Sequence, residues 1–386
     1  MAAGGNAAMD PAALPLFDPE EFRIPPGVAH VCAGGETPFL RRHDAALLRY
    51  AGDKSAGPPG RAAQEAVVLR ARDRAATAWG VAREDIGFCA HVAEGMSLLV
   101  ESLDWRPGDN AVLDPDEYPS VAAPLALRRG RVELRLARMG DPEAVAAAAD
   151  ARTRVIGVSA VSYLTGERYD LAALRRVADR AGALLAVDFT QAAGYLPIRA
   201  EVADFAFSAC YKWLLGMTGT AIAYWNRARQ PGWAPGTAGW HSIAGSAIAG
   251  SGRPDYAEGL RLVPDAMRFA RGNPAHAALY VLDSALDYLG GFETEAVRRH
   301  VQALTVALLE RLRAAGIPST TPADPARHGA SVCIATPRAV ALTEALHARG
   351  VYAWNGRGRV RFSFHGFNAM SEVDRIAAAL AAEWRG

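Results

Sequence analysis

Lys212 and Asp188 are the residues of this chain whose type and setting demand chemistry. Asp188 closes the apolar run Leu184-Leu185-Ala186-Val187, and Lys212 follows a second run, Phe205-Ala206-Phe207-Ser208-Ala209. Runs of this length between turns read as buried strands. Neither charge is stable in an apolar interior without a partner. One chemistry needs both. A lysine amine forms a Schiff base with an aldehyde cofactor, and an aspartate holds the protonated nitrogen of that cofactor's pyridine ring. The cofactor with those two groups is pyridoxal 5'-phosphate (PLP). Lys212 would then also serve as acid and base at the substrate's alpha carbon.

The elements that position this pair follow from strand-helix alternation. Arg61 to Trp79 carries a helical pattern, Ile86 to Cys89 reads as a strand, and Ala90 to Leu103 reads as a turn into a helix. Asn110 to Asp114 and Arg154 to Val161 are further strands, and Leu171–Ala181 is a helix before the Asp188 strand. Repeated strand-helix units imply an α/β fold with a mostly parallel central sheet, helices on both faces, and ligands at the carboxyl ends of the strands. Asp188, Lys212, Tyr118 and the Glu94 turn all fall at such ends. A helix start after a strand is an anion site, so the backbone N–H groups of Glu94 and Gly95 are candidate phosphate donors. Tyr118 offers an aromatic face to a flat cationic ring. Gly216 and Gly219 allow a tight backbone path after the lysine.

The pattern D-x-x-Q at 188–191 and, about twenty residues on, Y-K-W-L-x-G-x-x-G at 211–219 resembles the class V aminotransferase family of fold-type I PLP enzymes. Cysteine desulfurases, kynureninase and isopenicillin N epimerase belong to that family. The similarity runs from about His30 to the C-terminus. It implies a fold-type I transferase; residues 1–27, rich in Ala, Gly and Pro, read as a loose N-terminal arm with a short helical turn. A large PLP-binding domain over 28–280 and a smaller α+β domain over 281–386 would follow. It implies further roles. Gln191 would donate to the cofactor's phenolic oxygen, and Tyr211 would bond its phosphate. Tyr118 stands where relatives stack a histidine on the ring. Val92, Ala93, Glu94 and Gly95 match the phosphate turn, without its usual hydroxyls. Trp240 and Asn273 would reach the site of a neighbouring subunit in a homodimer. Arg361 takes the place of the arginine that clamps the substrate's alpha-carboxylate, a task suited to a planar guanidinium. Arg357 and Arg359 read as solvated turn charges, and His241 as a polar loop residue.

Composition narrows the rest. A net charge of +1 gives no basic surface for nucleic acid or an acidic membrane. No apolar run approaches the roughly 20 residues that span a bilayer. The first residues show no secretion signal. Four cysteines without a C-x-x-C pair suggest reduced thiols in a cytoplasm, with neither disulfide frame nor metal site. Cysteine desulfurases carry a nucleophilic cysteine on a loop before the carboxylate clamp, and the loop from Tyr352 to Val360 has none. The expected reaction is transamination of an amino acid or related amine. A kynureninase-like hydrolase, a C–S lyase and an epimerase remain open on the same scaffold. A non-catalytic binding protein of this fold is the reading from another class.

Overall fold

The computed structural model describes residues 12–128, 130–245, 257 and 259–384. The chain begins with β1 (Ala29–His30), α1 (His43–Ser55), α2 (Pro58–Trp79), β2 (Ile86–Cys89), α3 (Val92–Glu101) and β3 (Asn110–Leu113). It continues through α4 (Pro119–Ala126), β4 (Glu133–Leu136), α5 (Pro142–Ala148), β5 (Thr153–Ser159), α6 (Leu171–Ala181) and β6 (Leu184–Asp188). Then come β7 (Phe205–Ala209), β8 (Ala221–Trp225), α7 (His276–Leu289), α8 (Thr294–Ala314) and β9 (Ser331–Ala335). It closes with α9 (Ala339–Ala348), β10 (Val351–Tyr352), β11 (Trp354–Gly356), β12 (Arg359–Ser363) and α10 (Met370–Glu383).

Contacts divide the chain into two compact units. The larger comprises residues 42–163 and 167–292; the smaller comprises 1–41, 164–166 and 293–386. The larger unit is built on a seven-stranded sheet in the order β2-β8-β7-β6-β5-β3-β4. Pairing is parallel from β7 to β4, and β8 is antiparallel to both its neighbours. Val155, Ala186, Phe205 and Phe207 share a core cluster with side chains of α3 and α4. The alternate residues Ile156, Val158, Leu185, Val187 and Ala206 are just as buried. Side chains alternate between the faces of a strand, so both faces of this sheet are covered. α6 packs on β5 and β6. This is the α/β architecture expected from the strand-helix alternation.

The smaller unit holds a three-stranded antiparallel sheet in the order β11-β12-β9, and a parallel pair of β1 with β10. The stretch expected as a loose arm is anchored here. Phe17 and Phe22 are buried, Phe17 packs on His365 at 5.1 Å between ring centroids, and its N–H donates to the Gly366 carbonyl. Two aromatic side chains hold a segment that its Ala, Gly and Pro content alone would leave free. The helical turn is a short 3-10 segment, Pro19–Glu21, capped by Asp18. Residues 1–11 lie outside the described residues. Among the described residues no helix is long and apolar enough to cross a membrane.

Candidate active site

β6 and β7 pair in parallel, with Asp188 opposite Phe207, so both strands deliver their carboxyl ends to one edge of the sheet. Asp188 is the last residue of β6, and Lys212 follows β7 after the turn Cys210-Tyr211. Their side chains are buried, at 4% and 6% exposure for the two residues. The turn holding Lys212 is tight. The Leu215 N–H donates to the Lys212 carbonyl at 2.9 Å, and the Gly216 N–H donates to the Cys210 carbonyl at 2.8 Å. Leu215 takes a left-handed φ of 58°, and Gly219 one of 96°. Only glycine takes such angles freely, so Leu215 stores strain beside the lysine.

The Lys212 ammonium lies 5.4 Å from the Tyr118 ring centroid and 5.5 Å from that of Tyr211. Both rings face it with their negative quadrupole. Asp188 accepts the Thr190 N–H at 2.8 Å. Burial pushes the Asp188 carboxyl above the usual carboxylate range, while hydrogen bonds from Thr190 and the Lys212 charge pull it down. A further cation beside Asp188 would relieve that burial. Gln191 sits buried on the turn after β6, where its carbonyl accepts the Tyr195 hydroxyl at 2.7 Å.

Sequence reasoning passed over Glu117. Its Oε1 accepts the Ser159 hydroxyl at 2.5 Å and the Tyr118 N–H at 2.6 Å, and its Oε2 accepts the Ser159 N–H at 2.8 Å. Ser159 is the register partner of Asp188, so a second buried carboxyl stands beside the first. Burial pushes Glu117 up to about 7, and the Asp188 charge adds to the shift.

The Glu94 turn differs from expectation in which donors are open. His91 caps α3: the Glu94 N–H donates to its Nδ1 at 3.0 Å and to its carbonyl at 3.0 Å. The Gly95 N–H donates to the same carbonyl at 3.3 Å. The N–H groups beyond the reach of intrahelical bonds are those of Val92 and Ala93, the first two helical positions. Gly95 has a packing role instead, since an added Cβ there would fall 2.3 Å from the Phe207 ring. The Glu94 carboxylate pairs with Arg271 at 2.7 Å and accepts the Ala90 N–H at 2.7 Å. A pocket of about 220 Å³ lies beside this turn, with Cys89, Glu94, Thr220, Arg271 and Asn273 in its lining.

Trp240 and Asn273 gather around Arg61. Arg61 donates to Asn273 Oδ1 at 2.7 Å, and its guanidinium stands 5.9 Å from the Trp240 ring centroid. His241 is buried among them, 3.1 Å from Asn273 Oδ1 and edge-on to Trp240. It is a packed member of this group and not a simple loop polar.

Arg361 belongs to the smaller unit, on β12, at 6% exposure. Arg359 is not a solvated charge, for it donates to the Leu164 carbonyl at 2.6 Å. Arg357 is exposed, with a left-handed φ of 52°. All four cysteines are free and buried. Burial raises each thiol, Cys32 to about 12, Cys210 to about 12 and Cys333 to about 11, with Cys89 also raised. Arg361 pulls Cys32 and Cys333 back only in part. Thiols in this state are poor nucleophiles.

Comparison with known proteins finds relatives and structural neighbours. A probable cysteine desulfurase of Methanothermobacter thermautotrophicus is 24% identical over 80% of this chain and 82% of its own length. A kynureninase of Pseudomonas fluorescens is 28% identical over 58% of this chain and 54% of its own. Among solved structures, a cysteine desulfurase of Thermococcus onnurineus matches with a TM-score of 0.84 at 19% identity, covering 94% of this chain and 96% of that one. A C-DES mutant with glycine covalently linked to its PLP cofactor matches with a TM-score of 0.83 at 20% identity, covering 95% and 99%. Those structural likenesses show the fold. The family model for class-V aminotransferases matches residues 48–376. Spanning most of both units, that match makes the chain a member of the class-V aminotransferase family.

Proposed function

We propose that the chain is a PLP-dependent enzyme that breaks a bond at the alpha carbon of an amino acid or related amine, and that its reaction is transamination. The observation that carries this reading is the burial of Lys212 and Asp188 at adjacent strand ends. A buried carboxylate raised above its usual range suits a pyridine nitrogen that must stay protonated. Bound there, PLP supplies an electron sink for the pair of electrons left when the bond at the alpha carbon breaks.

The chain's own residues have separable tasks. Lys212 would hold the cofactor through its amine and, once released, would hold and move the alpha proton at Nζ. Asp188 would keep the ring nitrogen's proton in place. Tyr118 would give the ring an aromatic face, and Gln191 a hydrogen bond to the phenolic oxygen. Tyr211 and the open N–H groups at the start of α3 would bind the phosphate. Arg361 would clamp the substrate carboxylate. Trp240 and Asn273 would complete the site of a second copy.

A second reading is a thiol-independent C–S lyase. The four buried thiols favour it over a desulfurase that needs a reactive cysteine, and a structure of the cystine C–S lyase C-DES resembles this fold. One experiment separates the readings. Holoenzyme is incubated with pooled L- and D-amino acids and no keto acid, then denatured, and the released cofactor is weighed. Pyridoxamine phosphate supports transamination. Unchanged PLP with released keto acid and sulfide supports the lyase and sinks transamination.

A further inference from the structure

We propose that Trp354 is the wall of a side-chain subsite next to Arg361 and selects substrates with an aromatic side chain. The proposal rests on the reading of Arg361 as the carboxylate clamp. β11 and β12 run antiparallel with Trp354 opposite Arg361, and on its other side Arg361 lies opposite Cys333 of β9. Directly opposed residues share one face of a sheet, with Cβ atoms about 4.5–5.5 Å apart. Cys333, Arg361 and Trp354 therefore form one row across the small sheet.

The row is graded from inside to outside. Cys333 is fully buried, Arg361 nearly so, and Trp354 is 45% exposed. An indole left that open, at the outer end of a row whose middle member is a buried guanidinium, has apolar area to offer a ligand. One side of the ring is already seated. A Cβ added to Gly35 would come 2.7 Å from Trp354 Cε3 and 2.9 Å from Cδ2, so the backbone of this turn lies against the ring. The turn is itself fixed to the sheet. The Gly35 N–H donates to the Cys32 carbonyl at 2.8 Å, and the Ala33 N–H donates to the Ser363 carbonyl at 3.3 Å. The plane of the indole is thus braced by backbone. Nearby, Arg359 is held to the Leu164 carbonyl.

A braced aromatic ring within one side chain's length of a guanidinium suits a molecule with a carboxylate at one end and a flat apolar group at the other. The guanidinium takes the carboxylate in two parallel hydrogen bonds. The indole then stacks on an aromatic side chain, or meets its edge, and gains more from it than from an aliphatic chain of equal length. The ring stands on the hairpin Trp354–Ser363, within the stretch Tyr352 to Val360 that carries no cysteine.

The test uses holoenzyme and two carboxylates that cannot react, 3-phenylpropionate and pentanoate, with dissociation constants measured by calorimetry. The wild type should prefer the aryl acid by about three- to tenfold. W354A should bring the ratio close to one while pentanoate binding holds within about twofold. W354F should keep most of the preference, and G35A, which unseats the ring, should reduce it. R361Q should weaken both acids together. Equal affinities in the wild type, or a ratio that W354A leaves unchanged, overturn the proposal. Unaltered binding of both acids by R361Q would instead remove Arg361 as the clamp, and the W354A ratio would still decide the fate of Trp354. A change of mass in W354A, with the ratio intact, would assign the indole to contact with a second copy and would also overturn the proposal.

Discussion

Near neutral pH the Glu117 carboxyl stands close to half protonated, because burial lifts it to about 7. In the unfolded chain the same group titrates near its ordinary value of 4.5. Between those values the folded chain holds a proton that the unfolded chain has released. The associated stability is complete below pH 4.5 and is lost as pH rises through 7, an effect on the order of 3 kcal/mol. Melting curves of wild type and E117Q between pH 5 and 8 should therefore diverge, the wild type losing stability with rising pH and E117Q losing less. Parallel curves would mean that Glu117 is ionised in the fold like a surface acid. At Lys212 the expectation is sharper. K212A should lose the visible absorbance of lysine-bound cofactor and at least about a hundredfold in turnover, and an unchanged spectrum would refute the assignment. Lys212 and Asp188 were legible in the sequence because charges at the ends of apolar runs stand out. Glu117 was not, because D-P-D-E-Y reads as a solvated turn. Its hydrogen-bond partner, Ser159, lies 42 residues further on. The donors of the Glu94 turn were misplaced because His91, a residue that seldom caps helices, takes the cap.

Helix α3 meets strand β7 at Gly95 and Phe207, and the contact leaves no room for a methyl group. G95A should cost about 1–3 kcal/mol by overpacking. Pairing it with F207L should recover part of that loss, and a double mutant no better than the sum of its parts would place the strain elsewhere. A second junction joins α1, α2 and α7, where Asp283 takes Arg49 at 3.5 Å, Arg70 at 3.2 Å and Arg74 at 2.5 Å. The arginines are partly exposed, so D283A should lower stability by about 2 kcal/mol, less than a fully buried network would. Urea melts check both. Most of the helix Pro58–Trp79 was readable from its period over Arg61 to Trp79, and strands β2, β3, β5, β6 and β7 from their short apolar runs. The antiparallel return of β8 between β2 and β7 was not. Its run Ala221–Trp225 looks like any buried strand, and its direction depends on pairings far away in sequence. The β11–β12 hairpin was hidden for another reason. Its two-residue turn, Arg357-Gly358, reads as a charged loop, and Arg357 takes a left-handed angle without being glycine.

At the scale of the molecule, the expected homodimer with shared sites has a direct test. K212A and N273A proteins, each inactive by expectation, are mixed, unfolded together and refolded. Activity that neither parent has would follow if each site draws Lys212 from one copy and Asn273 from the other. No recovery, together with a sedimentation mass of one chain, would sink the shared site. The smaller unit carries a different consequence. It is assembled from both ends of the chain, with β1 beside β10, and Cys32 donating to the Tyr352 carbonyl across 320 positions. A ribosome adding about 5–20 residues per second needs on the order of tens of seconds to bridge that distance. Phe17, Phe22 and Val31, buried at the end, are therefore made long before the strands that shelter them. Throughout that interval the nascent chain presents a greasy segment that a chaperone or a neighbouring nascent chain can seize. The smaller unit can close over it only after residues beyond 350 have left the exit tunnel.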